Sequence, residues 1–218
     1  MKRRRMRTGL MAATAVTATA LAAAACGTTT AGQFHPAGSA PAAPSSSPAP
    51  TLASFPFPSN VHITFETPLP SDPKQAAAVI TDEDFQLAYY YGLYSEGKDQ
   101  RFAPYIGSQT VLLSVQSAMA QNAVAHERIS GKLRIFNTTV APVPGASTNL
   151  MVSFCGDNTQ LSSTSASTGQ VIPDHTTPPD HHYFLQSDSY LPEKGGPWKL
   201  VAISVTFYPN GTAKECKP

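Results

Sequence analysis

The composition of this chain changes near residue 59, and the change limits which part of the chain can fold. Residues 27–58 consist mainly of Ala, Pro, Ser, Thr and Gly. Such a segment buries too little apolar surface to offset the conformational entropy that is lost on ordering. We therefore predict a Pro-rich tether over 26–58 that reaches roughly 100 Å at most. The remainder, 59–218, is one domain of about 160 residues, which is enough for a single core.

The first 25 residues have the pattern of an export signal. Basic residues within 2–7 precede an uncharged apolar stretch, and the small residues of Leu21–Ala25 lead directly to Cys26. This pattern resembles a bacterial lipoprotein signal peptide. The resemblance implies that 1–25 is cleaved, that Cys26 carries palmitate-type lipid, and that the protein lies on the extracytoplasmic face of the cell membrane. Two alternatives stay open: a secretory leader cut after Ala-x-Ala, and an uncleaved anchor, for which ~17 apolar residues are short.

Removal of the leader changes the sign of the net charge. The leader contains five basic residues and no acidic ones, so 10 Lys and Arg remain against 14 Asp and Glu. The mature chain therefore carries a net charge of about −4. Nucleic acids attract basic patches, and the densest basic run is lost with the leader. We expect no nucleic-acid partner, and contact with the membrane through the N-terminal lipid.

The first half of the domain has helical periodicity. Thr81–Asp84 contains the capping and acidic side chains that favour a helix start. Apolar and aromatic residues then recur at helical spacing as far as a stop near Gly97. Ser108 predicts the start of a second helix, whose apolar stripe fades by Glu127.

Beyond Gly131 the apolar period changes to two. Alternation is clear around Leu133–Ile135, Leu150–Phe154 and Val201–Phe207, and His182–Leu191 is a weaker candidate strand. Turn-forming Gly and Pro residues between these segments predict antiparallel hairpins. Helices followed by consecutive strands predict an α+β fold, with N-terminal helices packed on a curved antiparallel sheet.

Several local motifs accompany this order of elements between residues 75 and 216. They are the aromatic helix Phe85–Tyr94, the strand end Phe154–Asp157, a Ser/Thr-rich loop reaching Gly169, the segment Gly196–Leu200, and a late Cys216. Together they resemble the nuclear transport factor 2 superfamily, also called SnoaL-like or cystatin-like. Within it, they are similar to a group of secreted and lipid-anchored actinobacterial proteins. The resemblance implies a cone-like space between helices and sheet, and it supports fold better than function.

Enzymes of that superfamily, the ketosteroid isomerases and related dehydratases, hold a Tyr donor and an acid/base in the cone. Asp84, His126 and Asp157 are candidate bases, but none sits in a family catalytic motif, so we assign no catalytic residue. We expect a non-catalytic domain that binds a small apolar ligand in the cone or an envelope protein on the sheet. An isomerase or dehydratase is the alternative. The residues that could line the pocket are Phe85, Tyr89, Tyr90, Leu93, Tyr94 and Trp198.

The cysteine count predicts one disulfide. With Cys26 assigned to lipid, Cys155 and Cys216 remain, and an oxidising compartment would join them. On the chain-entropy model such a bond stabilises the fold by at most ~4 kcal/mol. Because the chain has no C-x-x-C spacing, we expect a structural bond rather than a redox pair or two metal ligands.

A histidine-rich segment is the candidate metal site. Asp174, His175, Asp180, His181 and His182 fall within nine residues, and imidazole with carboxylate suits Zn or Cu. The segment is also rich in proline and lacks H-E-x-x-H spacing. We therefore expect a solvated loop, no bound metal and no cofactor.

Overall fold

The computed structural model describes residues 54–173, 182–194, 196–209 and 216. These residues form an α+β fold of two α-helices and an open mixed sheet of six strands. Among them, no helix is long and apolar enough to cross a membrane. Some of the predicted features lie outside the described residues: the leader, Cys26, most of the tether, and the histidine segment through His181.

The order of the elements corrects two of the predictions. In chain order they are β1 (Val61–Phe65), α1 (Pro73–Tyr94), a short 3-10 helix (Ala103–Tyr105), α2 (Gln109–Ala125), β2 (Glu127–Val143), β3 (Ala146–Ser165), β4 (Val171–Ile172), β5 (Tyr183–Pro192) and β6 (Trp198–Tyr208). A strand therefore precedes the helices. The sheet order is β1-β2-β3-β5-β6 with β4 paired to β3, and β1 runs parallel to β2 while the other pairs are antiparallel. The two helices supply the long crossover that a parallel pair requires.

Helix α1 begins about two turns before the predicted start. The Asp72 side chain accepts a hydrogen bond from the Gln75 N–H at 2.8 Å, and Pro73 occupies the first turn, where its missing N–H costs nothing. The segment Thr81–Asp84 consequently lies in the middle of the helix rather than at its start. The second helix does begin after Ser108, as predicted, with the Ser108 hydroxyl accepting from Val111 N at 3.5 Å.

The main core lies between the two helices and the inner face of the sheet. Its buried members come from both helices, β3, β5 and β6, and from the connection between the helices: Ala78, Val79, Phe85, Ala88, Phe102, Val111, Val115, Met119, Leu150, Val152, Tyr190, Trp198 and Leu200. A second cluster of Leu133, Ile135, Phe154 and Phe184 continues the core toward β1. The strong alternation of β3 predicted its inner residues correctly.

Two strands are longer than expected. Gly131 lies within β2 rather than before it, because the strand already begins at Glu127. The serine-rich stretch Ser162–Ser165, expected to be a loop, pairs with β2 along its whole length, and Ser163 and Thr164 also pair with β4. Backbone ladders on both sides order this stretch despite its polar side chains.

The predicted disulfide is present between Cys155 and Cys216, whose Cα atoms are 5.3 Å apart. Both cysteines are buried in a small cluster with Phe136. Successive strand residues point to opposite faces of a sheet, so Cys155 lies on the face opposite Phe154 and the main core. The disulfide thus ties the chain end to the outer face of the sheet.

Candidate functional site

A cavity of about 500 Å³ lies between the two helices and strands β3, β5 and β6. Its lining residues are Phe85, Gln86, Tyr89, Tyr90, Thr110, Val111, Ser114, Val115, Ala118, Asn158, Phe184, Gln186, Ile203, Val205 and Phe207. Phe207 is 49% exposed and Val205 is 42% exposed, so one side of the cavity reaches the protein surface. Within the described part of the chain, none of the lining residues is Asp, Glu, Lys, Arg or His.

Helix α1 supplies one wall of the cavity through two neighbouring stripes. Phe85 and Tyr89 are four residues apart, as are Gln86 and Tyr90, and this spacing stacks each pair on one face of the helix. The Tyr89 and Tyr90 rings meet edge to face at 5.3 Å between centroids. Burial raises the pKa of both phenols, so their hydroxyls remain neutral at physiological pH.

Strand β5 supplies the opposite wall and leads from the cavity into the interior. Phe184, Gln186, Asp188 and Tyr190 alternate on its buried face. The first two of these line the cavity, and the last two lie behind it with 0% exposure.

A buried polar network connects the cavity wall to this interior. The Gln86 Nε2 donates to Asp188 Oδ2 at 3.1 Å, and the Gln186 Nε2 donates to the same oxygen at 2.7 Å. The Tyr190 hydroxyl donates to Asp82 Oδ1 at 2.8 Å. Asp82 is 1% exposed. The network therefore contains two buried carboxyl groups, two amides and one phenol.

Burial favours the protonated form of both carboxyl groups. Burial raises the pKa of Asp82 to about 6, although its hydrogen bonds to Asp188, Tyr190 and Gln86 oppose the shift. Burial and the adjacent Asp82 charge raise the pKa of Asp188 well above its ordinary value. Within the described residues, Asp188 Oδ1 is a buried oxygen without a hydrogen-bond donor. A proton on that oxygen would satisfy it, since a protonated carboxyl oxygen can donate a hydrogen bond.

Three of the six expected pocket residues line this cavity: Phe85, Tyr89 and Tyr90. Leu93 packs against the main core instead. Tyr94 lies under Arg128, whose guanidinium carbon is 5.7 Å from the ring centroid. The helices approach closely just before these residues, since a Cβ on Gly92 would lie 2.9 Å from the Met119 sulfur. Leu93 and Tyr94, which follow this close approach, are accordingly not among the residues that line the cavity.

The sixth residue, Trp198, and the three candidate bases lie elsewhere. Trp198 is buried in the main core at the start of β6. Asp157 forms an ion pair with Arg134 at 3.2 Å and accepts a hydrogen bond from Thr159. The side chain of His126 is 78% exposed at the end of α2, and Asp84 is half-buried on α1. None of the three bases is among the lining residues.

Sequence reasoning missed the polar half of the site. Asp82 and Gln86 are one helical turn apart, and Gln186, Asp188 and Tyr190 are two residues apart. The alternation of β5 would have placed these polar residues on the buried face, but the strand was the weakest of the four candidates. Polar residues at inward positions were the available signal.

The described residues contain no group of three or more His, Cys, Asp and Glu side chains arranged to hold a metal ion. Comparison of the chain with protein-family models, with curated proteins and with solved structures finds no match. The cavity is therefore the feature of the described residues that bears on function.

Proposed function

We propose that this protein is a membrane-anchored extracytoplasmic lipoprotein whose domain binds a small, largely apolar molecule in the cavity between the helices and the sheet. The carrying observation is a cavity of about 500 Å³, within the size range of small-molecule sites, with aromatic and aliphatic walls and a few convergent amides. The lipoprotein-type leader and the Pro-rich tether support the location on the membrane.

The cavity favours a ligand over a protein partner. A scaffold that binds other proteins needs a filled interior and an exposed apolar patch, whereas this domain keeps an apolar space between its layers. Val205 and Phe207 are exposed where the cavity reaches the surface, whereas other exposed apolar side chains of the described residues, such as Leu113 at 56% on α2 and Val171 at 65% on β4, do not line the cavity. The open space also agrees with the cone expected from the superfamily resemblance, which we retain as a proposal.

Binding accounts for the site better than catalysis does. An isomerase or dehydratase needs a carboxyl group or imidazole in contact with the reacting atoms. Asp82 and Asp188 are the acids nearest the cavity wall, but they are 1% and 0% exposed and lie behind Gln86 and Gln186. Neither carboxyl group is therefore in a position to exchange a proton with a molecule in the cavity.

Filling the cavity tests this function. We expect the full chain carrying Cys26→Ala, purified without detergent, to bind the fluorescent probe N-phenylnaphthylamine with saturation at one site per chain. Ala118→Phe places a ring in the cavity and should weaken binding by tenfold or more, because the added volume occupies the space of the probe.

Leu113→Phe is the matched control, since Leu113 lies on the same helix, is 56% exposed and does not line the cavity. It should leave the affinity unchanged. Absence of saturable binding in the parent chain, or equal affinity in both variants with folding intact, would overturn the proposal.

A further inference from the structure

We propose that the ligand is neutral and carries a hydrogen-bond donor, a hydroxyl or N–H group, which is bound by the side-chain carbonyl oxygens of Gln86 and Gln186. This inference rests on the proposed function and specifies its ligand class. It follows from three observations: the absence of charge in the lining, the orientation of the two amides toward Asp188, and a buried Asn158 oxygen in the wall that has no hydrogen-bond partner among the described residues.

The lining excludes a charged ligand. Among the described residues that line the cavity, no side chain is ionised at neutral pH. Moving an ion from water into such a space without a counter-ion is strongly unfavourable. Behind the wall, Asp82 already accepts a hydrogen bond from the Tyr190 hydroxyl at 2.8 Å, and burial raises the pKa of Asp188, which favours its neutral form.

The buried acid fixes which atom each amide can offer to a ligand. Both Gln nitrogens lie within 3.1 Å of a single oxygen, Asp188 Oδ2. One oxygen can carry at most one proton, so at least one of the two amides must face it with its NH₂ group. Both amides donate to Oδ2 through Nε2, so Oδ2 is the acceptor for both. The carbonyl oxygens of Gln86 and Gln186 are then the amide atoms left for a ligand.

A third amide oxygen strengthens the preference for donors. Asn158 lines the cavity, and its Oδ1 is buried without a hydrogen-bond partner within the described residues. A buried acceptor without a donor costs free energy, and a ligand that supplies the donor recovers it. The hydroxyls of Thr110, Ser114, Tyr89 and Tyr90 can donate or accept, so they do not discriminate. The amides therefore decide the selectivity.

A matched pair of probes tests this inference. Naphthol and its methyl ether have nearly the same shape, but only naphthol has a donor. Water partitioning alone favours the more apolar ether in an apolar cavity. We expect naphthol to bind about tenfold more tightly, the effect of one hydrogen bond to a buried acceptor. Equal affinities, or tighter binding of the ether, would overturn the inference while leaving the binding of N-phenylnaphthylamine, and hence the proposed function, intact.

Variants assign the effect to the amides. Gln186→Met should weaken naphthol binding about tenfold and leave the ether unchanged, whereas Ser187→Ala, at the next position on the opposite face of β5, should change neither. If Gln186→Met keeps the preference for naphthol, the assignment to Gln186 is wrong. If that variant does not fold, the ratio measured on the parent chain still decides. Tighter binding of the cationic naphthylmethylamine than of naphthol would contradict a neutral ligand.

Discussion

Asp82 and Asp188 occupy positions where two ionised carboxylates would repel each other strongly, since the two side chains are 1% and 0% exposed. A proton on either group would remove most of that repulsion and would allow a hydrogen bond between the two carboxyl groups. The groups facing the pair are Gln86 and Tyr90 from α1, and Gln186 and Tyr190 from β5. These groups are all neutral, so the proton is the main source of compensation.

The buried carboxyl groups should make the stability of the domain depend on pH. Burial raises the pKa of Asp82 to about 6, and burial with the nearby charges of Asp82 and Asp84 raises the pKa of Glu83 to about 7. Because the pKa of Asp188 is also raised well above its ordinary value, the folded domain holds more protons than the unfolded chain from about pH 4 to at least about pH 7, and its free energy of unfolding should fall as the pH rises through that interval. For Asp82 alone the loss is on the order of 2–3 kcal/mol.

Urea unfolding at about pH 5 and about pH 8 measures this loss. Asp188→Asn keeps a donor toward Asp82 and an acceptor toward the glutamines but removes one titrating group, so the decrease should be smaller. Exposed Glu193→Gln is the control and should leave the decrease unchanged. The lowered pKa values of Glu66 and Glu96, caused by hydrogen bonds from Arg134 and Arg128, act in the opposite direction only at more acid pH. A free energy of unfolding that rises from pH 5 to pH 8 would contradict the raised pKa values of the buried carboxyl groups.

At the scale of elements, the position of β2 next to both β1 and β3 depends on a single glycine. Gly131 has φ +109°, and a Cβ there would lie 1.8 Å from the backbone oxygen of Gln160 on β3. Its own N–H donates to Asn60 O at 2.7 Å, just before β1. This glycine therefore allows three strands to approach where the parallel and antiparallel pairings meet.

Gly131→Ala should destabilise the domain by about 3 kcal/mol or more, because both the backbone angle and the contact with β3 are forbidden to alanine. The matched control is Gly145→Ala in the β2–β3 hairpin, where φ is +77° but no atom lies within 4 Å of the added carbon. Only the backbone cost of about 1 kcal/mol applies there. Chemical denaturation of both variants compares the two costs. Equal losses of stability in the two variants would show that the contact with β3 adds no cost at residue 131.

At the scale of the whole molecule, the two faces of the sheet have separate roles. The helices and the cavity occupy one face, and the disulfide with its small cluster occupies the other. Near the end of the predicted tether, Phe55 and Phe57 pack on Tyr91 with ring centroids 5.7 and 5.3 Å away. The segment just before the domain thus packs on α1, and Cys26, the proposed site of the lipid, precedes this contact in sequence.

The proposed lipid anchor should hold the protein on the membrane. Expressed in an actinobacterial host, the full chain should incorporate labelled palmitate and sediment with membranes, because two acyl chains give stable anchoring. Cys26→Ala should lose the label and leave the membrane fraction. Equal membrane binding of both chains without label would contradict lipidation, and release of both into the medium would favour the secretory leader.

Local patterns predicted much of the fold. The alternation of β3, the start of α2 at Ser108 and the pairing of Cys155 with Cys216 follow from side-chain period, capping and cysteine count, all of which depend on residues close in sequence or on a simple count. The predicted start of α1 was wrong because the acidic segment Thr81–Asp84 mimics a helix start, although Thr81, Asp82 and Glu83 are buried in the middle of the helix.

The site required the tertiary structure. Gln86 and Asp188 are 102 residues apart in sequence, and Asp82 and Tyr190 are 108 residues apart. No local pattern brings such pairs together. The sequence alone predicted a leader and a tether, and it predicted an α+β domain with an aromatic helix, of which the structure shows the α+β class. Only the packing of α1 against β5 decided that the polar residues of both elements face each other, since burial makes unpaired polar groups costly and so selects the arrangement that pairs them.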